Sequence, residues 1–152
     1  MNTTQLASLI FLFDRDLSKL ESEISQYNST EDLWKTGGAI SNSAGNLCLH
    51  LCGNLQHYIG AQLGKSGYVR NRPNEFSAKG LSKEVLLNEI KTTKEVVIET
   101  LKNLPDNEVE LVYPEQVLGY PMTVSFFLNH LFGHFGYHLG QINYHRRLIE
   151  VM

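Results

Sequence analysis

Apolar residues recur at steps of three and four along four long segments of this chain, a period that belongs to helices packed on a common core. In the first, Thr4 to Tyr27, Leu6, Leu9, Ile10, Phe13, Leu17, Leu20 and Ile24 share one side and charged residues the other. The second, Ser43 to Leu63, carries Leu47, Leu51, Leu55 and Ile59 with Cys48 and Cys52 on a broad apolar side. The third, Ser82 to Asn103, has Val85, Leu86, Ile90, Val97 and Leu101, with Ser82 a suitable N-cap and Glu84 in the first turn. The fourth begins at Thr123, its predicted N-cap, and runs toward Met152. Four such segments predict an all-α fold, a four-helix bundle with a long crossover between its second and third helices. At 152 residues the chain suits one domain, 1–152, able to bury a core without staples.

The connections carry their own signals. Asn28 to Gly45 is polar, and Ser29-Thr30-Glu31-Asp32 reads as a capped turn that brings Leu33 and Trp34 to the core. Lys65 to Gly80, with Gly67 and Pro73, is the crossover. From Glu108 to Tyr113 apolar and polar residues alternate, which admits a short β-hairpin before the last helix, and Pro114 confines it to an edge.

Several function classes drop out at this point. A net charge of −3 offers no electrostatic footprint for nucleic acid. The longest apolar run, Leu9 to Phe13, is far shorter than the ~20 residues that span a bilayer. The N-terminal residues lack a basic region followed by a cleavage site, so a cytoplasmic protein is expected.

The chemistry-bearing residues are histidines. Four of the six, His130, His134, His138 and His145, lie in the last helix. Steps of four and seven bring His134, His138 and His145 within roughly 40° on one helix face, with His130 at its edge. Phe127, Leu131 and Ile142 share that face, so it points inward. In the second helix Asn46, His50, Asn54, His57 and Ala61 form a separate stripe within roughly 40° of His50. His50 stands at mid-helix, and His57, nearer the end, is expected to be wetter. His50, His134 and His138 together would supply three imidazoles and leave a coordination position open, the pattern of a catalytic site for zinc, nickel, iron or copper. Inward histidines also occur as hydrogen-bonded core residues, and spacing alone leaves both readings open. Cys48 and Cys52 project roughly 160–200° away from His50 and read as small buried hydrophobes.

The segments LCLHLCGNLQHYIG and HLFGHFGYHLGQINYHRR resemble the DinB-like superfamily of metal-binding four-helix bundles. Its mark is a histidine in the second helix and H-x-x-x-H, followed by x-G-Q, in the last. Here these are His50, then His134 and His138, then Leu139-Gly140-Gln141, and Trp34 ahead of the second helix also fits. The resemblance covers essentially the whole chain. It implies a divalent metal, zinc or nickel, at His50, His134 and His138, and a homodimer.

Characterised relatives include transferases of low-molecular-weight thiols (bacillithiol or mycothiol) and a mycothiol-dependent maleylpyruvate isomerase. The implied function is therefore metal-dependent thiol S-transfer onto a small electrophilic substrate, with a low-molecular-weight thiol as co-substrate. Asn54, His57, His130, Tyr137 and Gln141 are the candidates for substrate contact or support of the ligands. The same ligands would serve a hydrolase with a metal-bound hydroxide, or hold a structural metal in a non-catalytic bundle. The superfamily's name refers to DNA-damage induction and so implies a stress response, although no basic surface supports DNA binding. Glu75 and Glu115 lie in connections whose course relative to these histidines the sequence does not give.

Overall fold

The stripe that predicts the first helix is the stripe it buries. Leu6, Leu9, Phe13, Leu17, Leu20 and Ile24 form the inner side of α1 (Thr4–Ser25) in the computed structural model, which describes residues 4–151. The remaining positions of the expected domain, 1–3 and Met152, lie outside the described residues. Each long helix that follows starts on a side-chain cap. Ser43 Oγ accepts the Asn46 N–H (3.1 Å) at the start of α2 (Ala44–Leu55), which a wider turn continues through Gln56–Ala61. Ser82 caps α4 (Lys83–Asn103), and Thr123 caps α5 (Val124–Ile149) through the Phe126 N–H. These bonds satisfy donors that a helix leaves open, and losing one costs about 1 kcal/mol.

The fold is mostly helical: α1 packs against α4 and α5, and α2 packs against the same pair. Phe13, Phe127 and Phe135 are fully enclosed where these faces meet, each worth about 1.5–3 kcal/mol of burial. The expected turn forms at Glu31–Trp34, with Leu33 buried and the Trp34 Nε1–H donating to the Leu81 carbonyl at 3.0 Å. The indole lies flat enough on α2 that a Cβ at Gly45 would come within 2.7 Å of three ring carbons.

Two connections differ from expectation. The hairpin allowed between Glu108 and Tyr113 is replaced by a tight turn at Asp106–Glu110 and a single antiparallel bridge from Val112 to Thr123. The alternation has no apolar face to bury, since Val109 is enclosed while Leu111 and Val112 are 55% and 68% exposed. Two backbone bonds, Val124 N–H to Leu111 O and Tyr113 N–H to Met122 O, then tie the segment to the start of α5.

The crossover also holds a short helix, α3 (Arg72–Ser77), which packs on α2. Asn71 Oδ1 accepts the Asn74 N–H at 3.2 Å, and Pro73 occupies the first turn, where its missing donor is not needed. Asn46 Nδ2 fastens this crossover to α2 by donating to the carbonyls of Glu75 (3.0 Å) and Ala78 (2.8 Å).

Candidate metal centre

Helix α2 supplies His50, and one face of α5 supplies His134 and His138. One ring nitrogen from each lies within 4.8 Å of the other two. His50 Nε2 and His134 Nε2 are 3.2 Å apart. A tetrahedral ion with metal–nitrogen bonds of 2.0–2.1 Å would hold two such atoms about 3.3 Å apart. The rings meet edge-on, His134 to His138 at 4.6 Å between centroids and His50 to His138 at 5.2 Å.

The outer nitrogens are handled differently on each ring. The His50 Nδ1–H donates to Glu75 Oε1 at 3.0 Å, which leaves Nε2 as the free lone pair. Glu75 is gripped in turn by Arg70, whose Nε donates to Oε2 and whose Nη2 donates to Oε1, both at 2.9 Å. Burial tends to raise the Glu75 pKa, but the bonds from His50 and Arg70 outweigh it and hold the carboxyl below its ordinary value. The His138 Nδ1–H donates to Gln141 Oε1 at 2.7 Å, in a more exposed position. His134 Nδ1 is buried and makes no hydrogen bond.

Burial, followed by the neighbouring His138 and His50, pushes the His134 pKa down to about 4. Burial also lowers that of His138, against the bond to Gln141. A divalent cation is bound by neutral imidazoles, so this environment keeps both rings in the ligating form. Carboxylate and amide partners on outer nitrogens are the usual means of fixing the tautomer and direction of a ligating ring. Three neutral nitrogens converging at this spacing fit a transition-metal ion.

Of the other sequence candidates Gln141 meets His138, and the rest make no hydrogen bond to the triad among the described residues. Asn54 is buried one turn from His50, and its Oδ1 has no partner. His57 is wetter than His50 (side chains 24% and 7% exposed) and pairs with Glu115 at 3.2 Å instead of joining the triad. His130 is exposed and stacks on Phe127. Tyr137 projects outward and meets His138 only with its ring edge. His145, on the same predicted stripe as the ligands, is a core residue: its Nε2–H donates to Lys35 O (2.8 Å) and its Nδ1 accepts from the Tyr27 hydroxyl (2.7 Å). Cys48 and Cys52 are free and buried.

A cleft of about 180 Å³ opens beside the triad, bordered by His50, Asn54, Arg70, Arg72, His130 and His134. Larger surface grooves exist, one of about 530 Å³ between α1 and α5, but neither His50, His134 nor His138 lines it. Sequence reading missed Arg70, Arg72 and the role of Glu75. The signal available was Asn71-Arg72-Pro73, an N-cap followed by an early proline, which marks a helix start inside the crossover.

The protein family described as "Protein of unknown function (DUF1572)" matches residues 1–151. The chain is similar in structure to a DinB-like protein from Bacillus cereus ATCC 10987, with a TM-score of 0.69 and 16% identity over 88% of this chain and 85% of that one. It is also similar to a conserved protein from Enterococcus faecalis, with a TM-score of 0.77 and 17% identity over 100% and 99% of the two chains. No curated protein matches the sequence.

Proposed function

The chain belongs to the DUF1572 family and has a DinB-like fold, and from that premise we propose a metal-dependent transferase that joins a low-molecular-weight thiol to a small electrophile. In this reading the four long helices act as a bundle, and His50, His134 and His138 hold one divalent transition ion, zinc or nickel. The observation that carries it is the pair of Nε2 atoms of His50 and His134, 3.2 Å apart, with burial favouring the neutral form of His134. Such an ion would lower the pKa of a thiol bound beside these residues and so supply a thiolate nucleophile. In the reaction overall an S–C bond would replace the electrophile's bond to its leaving group, which would depart with its electron pair, and the thiol proton would pass to solvent.

The chain's own part is orientation and exclusion of water. Glu75 and Gln141 aim the ligand rings, and the apolar walls of Phe127 and Leu131 border the cleft. Hydrolysis would use the same three ligands, but it gains from a carboxylate base beside the open position. Among the described residues no Asp or Glu lines the cleft, and Glu75 is committed to His50 and Arg70. That favours a nucleophile that needs no protein base. Cys48 and Cys52 lie on another side of α2, which supports a thiol supplied from outside.

Elemental analysis of the untagged protein beside His50→Ala and His138→Ala tests the metal. About one equivalent in the parent and little in either variant is expected; folded protein that takes up none on titration would end the reading. In cobalt-substituted protein, added thiol should shift the visible spectrum. A spectrum indifferent to thiol would remove the transferase and leave the metal.

The homodimer belongs to the same proposal. A Cβ added at Gly133, Gly136 or Gly140 of α5 meets nothing within 4 Å, and Tyr137 and Tyr144 are exposed on that helix, an outer surface on which a second copy can pack closely. Sedimentation of the parent against Gly136→Gln should show loss of the dimer. No described helix is long and apolar enough to cross a membrane.

A further inference from the structure

We infer that the cleft over the histidines takes a small molecule bearing an oxyanion, a carboxylate or phosphoryl group, held by Arg72, with a hydrogen-bond donor of the same molecule turned to Asn54. The inference deepens the proposed function by naming a substrate class, and it rests on that reading only for the ion at the cleft's floor.

Two arginines border the cleft, and their charges are in different states. Arg70 is spent on Glu75 through two bonds of 2.9 Å. Arg72 stands over the Phe76 ring at 5.2 Å, and it has no carboxylate within ion-pair distance among the described residues. Among the described residues no acidic side chain lines the cleft. The lining therefore carries uncompensated positive charge, and a bound divalent ion would add to it. Guanidinium groups recognise carboxylates and phosphates through paired N–H donors.

Asn54 is an independent observation. It is 7% exposed, it borders the same cleft, and its Oδ1 has no hydrogen-bond partner. Buried acceptors in native proteins nearly always have a donor, so an enclosed acceptor without one, on a residue that borders the cleft, asks for a donor from what enters there. Size sets the last bound. At about 180 Å³ the space is below the range of drug-sized pockets, and Tyr58, Val117, Phe127 and Leu131 make part of its wall apolar. A short apolar body with one anionic group and one donor meets all three conditions.

The test is calorimetric titration of the protein as purified, with metal content measured on the same sample. The probes are phenylacetate, mandelate, phenyl phosphate and the neutral phenylacetamide. An anion should bind at least about tenfold more tightly than phenylacetamide, and Arg72→Gln should erase most of that margin. Arg72 is exposed, so this variant keeps its fold. Preference for phenylacetate or for phenyl phosphate tells carboxylate from phosphoryl. Mandelate differs from phenylacetate by one hydroxyl donor, and Asn54→Leu should remove its advantage. Equal binding of phenylacetate and phenylacetamide, no binding by any probe, or anion affinity untouched by Arg72→Gln would overturn the inference. If the sample carries no metal, takes up none on titration and yet binds anions through Arg72, the metal reading fails and this one stands.

Discussion

The carboxylate of Glu75 rests against the bare Cα of Gly53: a Cβ there would sit 2.7 Å from the carboxyl carbon of Glu75 and closer still to Oε2. Glycine at this position of α2 is what lets a side chain from the crossover reach His50. Gly53→Ala should push Glu75 off the His50 Nδ1–H. In a helix interior the same change gains about 1 kcal/mol of propensity, so helix content should not fall. Loss of such an orienting partner typically lowers metal affinity about 10–100-fold. Competition with a chromophoric chelator measures it, and unchanged affinity in a folded variant would show that Glu75 does not orient the ring.

Replacing the carboxylate has a second consequence. Arg70 and Glu75 are only 10% and 6% exposed, so Glu75→Leu leaves a guanidinium largely buried and unpaired. Breaking one side of a buried pair costs about 3–5 kcal/mol, whereas replacing both partners with apolar groups is often close to neutral. Urea unfolding should therefore show Glu75→Leu much less stable than the parent, and Arg70→Met with Glu75→Leu recovering most of the loss. If the double variant is no better than the single, the cost lies elsewhere than in the stranded charge.

His145 is a core histidine to set beside the proposed ligands. It bonds Tyr27 and Lys35 O, so His145→Ala opens a cavity and leaves the buried Tyr27 hydroxyl without its best partner. The loss should be about 2–4 kcal/mol, read from urea unfolding, with metal content unchanged. His138→Ala should give the opposite pattern. Metal loss from His145→Ala at full stability would mean the two roles had been exchanged.

These contrasts also mark what the sequence carried. Helix period places His134 and His138 on one face, because a regular element fixes where its side chains point, while His50 follows from its depth in the second helix and the set of three from the DinB-like resemblance. That rule also put His145 on the ligand stripe, for a period gives direction but not which neighbour waits there. Tyr27 and the Lys35 carbonyl come from the first helix end and the turn after it, far away in sequence. Arg70 precedes and Glu75 lies within the short helix of the crossover, whose seat on α2 is set by the bonds from Asn46 and by space at Gly53; Asn71-Arg72-Pro73 marks that helix start but not what its side chains meet. The alternation at Glu108 to Tyr113 misled for the converse reason, since a period without a face to bury has no energetic force behind it.

Two tyrosines predict behaviour in alkali. Burial pushes the hydroxyl pKa of Tyr27 and of Tyr113 far above the ordinary value of 10.0, and the Tyr113 hydroxyl donates to the Tyr58 carbonyl at 2.6 Å. Above pH ~10 the unfolded chain releases these protons and the native state keeps them, so unfolding is favoured as pH rises. The contribution of these two hydroxyls should be constant below pH ~10 and should fall above it. Absorbance at tyrosinate wavelengths should show Tyr27 and Tyr113 ionising only with unfolding. Ionisation of either before any loss of helix would contradict the burial argument.

The cysteines bear on where the nucleophile comes from. The hydrogen bond between Cys48 and Cys52, and then burial, raise the Cys48 thiol well above its usual pKa, so it is held in the unreactive form. Both side chains are enclosed in the core. A disulfide reagent such as Ellman's should label neither in the folded protein and both once urea unfolds it. Blocking by denaturation is the informative comparison, because it shows that the thiols are intact and only inaccessible. Rapid labelling of either residue in the native state would put a reactive protein thiol within reach of small molecules. The nucleophile would then have a source inside the chain, and the case for a thiol brought from solution to the three histidines would lose its main structural support.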